Sequence, residues 1–139
     1  MLLAVDIGNT NIVFGVFDGE RLVHSWRLST RRETTADEVV VLLRAMVGEL
    51  LEKVDGAVVA SVVPPLTAPV LAATRELAGV EPLEIGPGVR TGLRIRTDNP
   101  QEVGADRLIN AAAAHQLHPG TMIVVDFGTA TTLDVVTAD

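Results

Sequence analysis

An α/β fold built on a mixed sheet is predicted by three features of the sequence. Two apolar runs flank a short polar turn within residues 2–18, and an alternating run follows at once, giving three consecutive short strands. Two segments with apolar residues at helical spacing come next, separated by a nearly unbroken apolar run at 55–63, short enough for a strand buried on both faces. The strand, turn and strand pattern then returns at 122–136.

Each element has its own signal. The first hairpin turns through Gly8, Asn9 and Thr10 and leaves with Ile12, Phe14 and Val16 alternating; Gly19 and Glu20 make the next turn, and 21–28 alternates again around Leu22, Val23, Ser25 and Trp26. Residues 29–34 form a polar connection whose Arg31 and Arg32 could meet a phosphate or a partner but read chiefly as solvated. Thr35 to Glu38 is a capping box, after which Val39, Leu42, Leu43, Met46, Val47, Leu50 and Leu51 recur on one helical face. Pro64 and Pro65 end the strand at 55–63, a helix is expected over 66–78 with Gly79 as its stop, and 82–85 makes a short further strand. Ser61, at the end of that buried strand, stands where open α/β sheets bind ligands, without the flanking glycines of a nucleophile elbow. The order β-β-β-α-β-α-β, with helices packed on the faces of a mixed sheet, is ribonuclease H-like.

Residues 86–99 break the pattern and hold Arg90, Arg94 and Arg96, a basic cluster in an acidic chain that fits either an anionic ligand or carboxylate, or a glycine-rich loop with solvated arginines. Asn99 and Pro100 are expected to open a third helix that stops before Pro119. Gly104, Ala105 and the alanines from 111 to 114 strip it of bulk, so another backbone can approach; Asp106 lies among them with Asn110 one turn on. Residues 1–118 are therefore expected to form one ribonuclease H-like domain and 119–139 to open a second with its first hairpin.

Composition excludes several function classes. No cysteine is present, which removes disulfides, thiolate metal sites and a cysteine nucleophile. His24, His115 and His118 show no metal-ligand spacing, and the latter two are expected at the surface. A net charge of −7 without a basic stripe weighs against nucleic acid, and aromatic content of 3% removes base-stacking platforms. No apolar stretch reaches membrane-spanning length, and Met1 runs straight into the first strand without a positive leader, so no membrane association and a cytoplasmic location are expected.

The first turn carries the chemistry. A glycine lets backbone come close to an anion, and small polar side chains at Asn9, Thr10 and Asn11 add donors. Asp6 would repel a phosphate by roughly 4 kcal/mol at 4 Å for an effective dielectric near 20. A divalent cation between the two reverses that sign, and Mg²⁺ commonly takes one carboxylate plus substrate phosphates. An ordinary hairpin whose polar side chains serve the turn fits the same residues. The second hairpin tips the balance: Asp6 falls on Asp126, Gly8 on Gly128 and Asn9 on Thr129, as in two related halves facing one ligand. Beside two such turns, Asp106 fits a carboxylate that accepts a proton from a hydroxyl during phosphoryl transfer.

Four blocks in this order, Asp6-Ile-Gly-Asn-Thr-Asn, Ser61-Val-Val-Pro, Asp98-Asn-Pro with Val103-Gly-Ala-Asp-Arg107, and Asp126-Phe-Gly-Thr-Ala-Thr-Thr132, resemble the N-terminal half of type III pantothenate kinases. The resemblance implies two ribonuclease H-like domains of the acetate and sugar kinase, chaperone ATPase and actin superfamily with ATP between them. It implies that Asp6, Ile7, Gly8, Asn9, Thr10, Asn11, Ile12 and Val13 form the first phosphate loop, Asp6 acting on Mg²⁺ through water. It further implies that Gly104, Ala105, Asp106 and Arg107 line the pantothenate pocket, with Asp106 as base and Arg107 anchoring polar groups. Asp126 would hold a monovalent cation, K⁺ or NH₄⁺, and Thr129 would contact ATP phosphates. Members are homodimers, and Thr97 stands where many carry tyrosine.

The activity implied is ATP-dependent phosphorylation of pantothenate to 4′-phosphopantothenate, the first step toward coenzyme A. A non-catalytic regulatory relative, or a kinase for another small hydroxy acid, would share most of these features. Because the sequence ends at Asp139 soon after the second hairpin opens, these 139 residues alone are expected to bind ATP poorly and turn over little, with the apolar hairpin left to pair with another chain.

Overall fold

The computed structural model describes residues 1–86 and 88–138. Pro87, in the irregular stretch expected at 86–99, and Asp139, the last residue of the expected second domain, lie outside the described residues. The chain forms two compact units, Met1–Ile85 and Gly86–Asp139.

In the first unit the strands are β1 (Leu2–Ile7), β2 (Asn11–Asp18), β3 (Arg21–Ser29), β4 (Gly56–Ser61) and β5 (Leu83–Ile85), with helices α1 (Ala36–Val47) and α2 (Pro64–Ala78). They build one sheet in the order β3-β2-β1-β4-β5, which puts β1 at its centre. β1 pairs antiparallel with β2 and parallel with β4, and β5 extends the sheet parallel to β4. This is the mixed, ribonuclease H-like arrangement expected.

The alternation in β1 decides which face is core. Leu3, Val5 and Ile7 are buried, whereas Leu2 and Asp6 are exposed on the other face. Register carries the same choice outward: Leu3 faces Val16, Val5 faces Phe14 and Ile7 faces Ile12, so all six side chains enter one cluster. Both helices cover this face, α1 through Val39, Leu43 and Val47 and α2 through Leu66, Val70 and Ala73. Asp6 is thereby delivered to the opposite, open face at the end of the central strand.

The first helix ends earlier than the sequence reading expects, and α2 starts at Pro64, two residues before the expected 66. Gly48 adopts φ +55° and ends α1, so Leu50 and Leu51 fall in a 3-10 turn, Gly48–Lys53, rather than in the helix itself. The capping box at the other end is present, with the Glu38 N–H donating to Thr35 Oγ1 and the Thr35 N–H donating to Glu38.

Among the described residues, one side chain in this core lacks a partner. Thr74 is fully buried and its hydroxyl has no hydrogen bond. Thr74→Val keeps the shape and removes the unsatisfied oxygen, so stability is expected to rise by about 1 kcal/mol. Urea unfolding measures this, and an unchanged or lowered midpoint would contradict it.

The second unit contains α3 (Ala105–Leu117) and a hairpin of β6 (Met122–Phe127) and β7 (Thr131–Val136). Asn99 and Pro100 do not open α3. They open a separate 3-10 turn, Pro100–Glu102, and Val103 and Gly104 are extended before α3 starts at Ala105. Glycine is a poor helix former and serves here as the N-cap. Ala105, Leu108 and Val136 are buried, and α3 packs on the hairpin face that bears Val124, Asp126, Thr132 and Asp134. α3 thus groups with the hairpin in the second compact unit. The other hairpin face, with Ile123, Val125, Phe127, Leu133 and Val135, is exposed, Phe127 to 81%.

Candidate functional site

The first turn is shaped by what it packs against. The Gly8 N–H donates to the Asn11 carbonyl at 2.9 Å, so it closes the turn and is not among the groups that can point at an anion. Glycine is needed for close approach instead: a Cβ on Gly8 would lie 3.1 Å from the Asn11 carbonyl oxygen. From the end of β3, Thr30 donates twice, through Oγ1 to the Gly8 carbonyl at 2.6 Å and through its N–H to the Thr10 carbonyl at 2.9 Å. Arg32 adds a bond from Nη2 to Asn9 Oδ1 at 3.2 Å. The 29–34 segment, read from sequence as a solvated connection, is a brace for this turn.

The second turn repeats the first with one residue fewer. Between the last paired residues lie four positions in the first hairpin, Ile7 to Ile12, and three in the second, Phe127 to Thr131. Asp126 still faces its partner strand as Asp6 does, opposite Thr132 where Asp6 is opposite Val13. Gly128 differs from Gly8: a Cβ there would meet Ala130 oxygen at 3.6 Å and Asp126 Oδ1 at 4.0 Å, which is ordinary contact. Gly8→Ala is therefore expected to cost about 1–2 kcal/mol, as overpacking against backbone does. Gly128→Ala is expected to stay within about 0.5 kcal/mol of wild type. Paired urea titrations check the contrast, and equal costs would refute it.

α3 joins its own carboxylate to the hairpin. Asp106, in the first turn, accepts the Arg107 N–H on Oδ1 at 2.7 Å. Arg107 reaches across to β7, where Nε donates to both oxygens of Asp134 at 3.1 Å and Nη2 makes a further close bond to Oδ1. Hydrogen bonding to Asp134, together with its charge and that of Asp106, raises the guanidinium above its ordinary pKa. One turn on, Asn110 Nδ2 donates to Asp126 Oδ2 at 3.1 Å. The helix is clasped to β7 at one residue and to β6 at another.

Around Asp126 a cleft of about 390 Å³ opens between α3 and β6, walled by Asn110, Ala113, Ala114, Leu117 and Val124. The alanines leave this space open. Among the described residues, the Thr132 hydroxyl, on the strand position opposite Asp126, is buried without a partner, as is Nδ1 of the half-buried His115, whereas His118 is exposed. Among the described residues no group of three or more His, Cys, Asp or Glu could hold a metal ion. A larger hollow, about 590 Å³, lies between Ile12, Phe14, Leu28, Val39 and Leu42 in the first unit.

Ser61 is a structural hydroxyl. Its Oγ accepts from the Val63 N–H at 3.1 Å and from Thr67 Oγ1 at 2.8 Å, bending the chain from β4 into α2. The basic loop keeps Arg90, Arg94 and Arg96 exposed. Sequence reasoning missed the Arg107 to Asp134 pair and the bond from Asn110 to Asp126. The signal was there in the hairpin alternation, which puts Asp126, Thr132 and Asp134 on one face.

The architecture defines a class. The chain is similar in fold to a ROK hexokinase from Thermus thermophilus (TM-score 0.51, 19% identity, 99% of this chain and 47% of that one). It is similarly related to a Ppx/GppA phosphatase from Aquifex aeolicus (TM-score 0.52, 16% identity, 99% and 48%). These likenesses are of fold. A family model for type III pantothenate kinase matches residues 2–139, and the chain belongs to that family. Type III pantothenate kinases of Pelobacter propionicus and Moorella thermoacetica are 48% and 50% identical over 141 and 139 residues, covering 99% and 98% of this chain. The chain spans about half the length of these relatives, 56% and 55%. Among the described residues no helix is long and apolar enough to cross a membrane.

Proposed function

We propose that the protein phosphorylates pantothenate, moving the γ-phosphoryl group of ATP to its primary hydroxyl to give 4′-phosphopantothenate. The observation that carries this reading is Asp106: a half-buried carboxylate in the first turn of a small-residue helix, tied by that helix to a hairpin bearing the second Asp-x-Gly turn. Oδ1 is engaged by backbone, so Oδ2 is the atom assigned to the hydroxyl proton. Gly104 and Ala105 leave room for the acceptor. Arg107, with its Nε edge committed to Asp134, offers Nη1 to the polar groups of pantothenate.

Residues 6–13 form the first phosphate loop in this proposal, and Thr129 contacts ATP phosphates at the second turn. Gly128 supports that assignment, because its own fold leaves space for a Cβ and so does not by itself require glycine. Asp6, exposed on the open sheet face, would hold Mg²⁺ through water, and Mg²⁺ when bound offsets phosphate charge. Asp126 and the unpartnered Thr132 hydroxyl present only oxygen, a donor set that suits K⁺ or NH₄⁺. We further propose a homodimer, a ribonuclease H-like domain over 1–118 with a second beginning at 119, and a cytoplasmic enzyme.

The test is ADP formation with and without pantothenate and K⁺, measured with these 139 residues within a chain of the relatives' length. ADP formation that depends on pantothenate is expected. ATP turnover indifferent to pantothenate would overturn the reading.

A further inference from the structure

We infer that Arg32 is a phosphate-binding residue of the first turn, acting through its own charge and through the orientation it gives Asn9; this rests on the reading of that turn as a phosphate loop. Arg32 lies outside any strand or helix, yet its Nη2 meets Asn9 Oδ1 at 3.2 Å. Its location is not left to a long flexible chain. Two residues earlier Thr30 is bound to the carbonyls of both Gly8 and Thr10, so the backbone that carries Arg32 is fixed against the turn.

The chemistry of an amide gives the contact a direction. Asn9 can accept on Oδ1 and donate from Nδ2. With the guanidinium on Oδ1, the amide presents its two N–H donors away from Arg32, at an exposed turn position. A carboxylamide held that way is a donor for an anion, whereas the reversed amide would offer an oxygen and repel one. Arg32 spends one of five donors on Asn9 and keeps its full charge beside the turn.

A structural role does not account for the arginine. Thr30 already braces the turn, and a single exposed hydrogen bond adds little to stability. An incoming polyphosphate, in contrast, meets a chain of net charge −7 with Asp6 two residues before Gly8. Arg32 brings a cation to this turn, held there by its side-chain bond to Asn9.

The test is calorimetric titration with Mg-ATP and with inorganic tripolyphosphate of the same full-length protein, comparing wild type, Arg32→Ala, Arg32→Lys and Asn9→Asp, with melting temperatures measured in parallel. Arg32→Ala is expected to weaken both ligands about tenfold while melting within about 1 °C of wild type. Arg32→Lys should recover part of the loss, since the charge stays and the planar fork goes. Asn9→Asp, which keeps the bond to Arg32 and turns the donor into an anion, should lose more than Arg32→Ala. Equal affinity in wild type and Arg32→Ala would overturn the inference, as would a loss matched by a large fall in melting temperature. Absence of any ATP or tripolyphosphate binding by wild type would instead remove the phosphate-loop reading, and this role with it.

Discussion

Asp106→Asn is expected to lower pantothenate-dependent ADP formation by about 10²–10⁴-fold, the range that a positioned general base contributes. The substitution separates proton transfer from architecture. Asparagine is nearly isosteric and its Oδ1 still accepts the Arg107 N–H, so the start of α3 is kept. What it lacks is an oxygen able to take the hydroxyl proton as the phosphoryl group moves. ATP affinity should therefore change by less than about twofold, because the charge that is lost faces the acceptor in this proposal and not the nucleotide. Steady-state rates alongside ATP titration separate the two effects. Equal rates in mutant and wild type would take Asp106 out of the mechanism.

Asp134→Ala is expected to destabilise the second unit by about 2 kcal/mol, less than the 3–5 kcal/mol of a fully buried pair. The discount follows from exposure: the Arg107 side chain is 36% exposed and that of Asp134 19%. Removing the carboxylate leaves a guanidinium that had spent its Nε edge on β7 without a partner there. Arg107→Ala should cost about as much, and the double variant little more than either alone. A double-mutant cycle in urea measures that coupling. Additive losses would mean that the two residues act independently and would refute the pairing.

Much of the first sheet was legible because period and punctuation agreed. The alternation through Leu3, Val5 and Ile7, the capping box at Thr35 and the glycine stop at Gly79 each have one physical reading. Boundaries failed where a glycine competed with hydrophobic spacing. Gly48 cut α1 short of Leu50, and Gly104 delayed α3 past a sequence, Asn-Pro at 99–100, that otherwise looks like a helix start.

The candidate residues were legible by type and spacing, while their partners were not. That Asp106, Gly8 and Asp126 matter could be argued from chemistry. That Thr30 braces the first turn and Arg32 reaches Asn9 depends on where β3 ends relative to β2, with Asn11 opposite Ser29, and a register shift between Val16 and Phe17 lies within that pairing. Asp134 was passed over because an acidic residue in an alternating strand reads as solvent-facing. Its face is occupied by α3, a tertiary fact that no local pattern carries.

The bare plane of Ile123, Val125, Phe127, Leu133 and Val135 sets how this polypeptide responds to its solvent. Water released from such a plane drives chains together more strongly on warming and in sulfate, and less strongly in the cold. Light scattering from the 139-residue chain is thus expected to be lowest in chilled, dilute, sulfate-free buffer and to rise on warming.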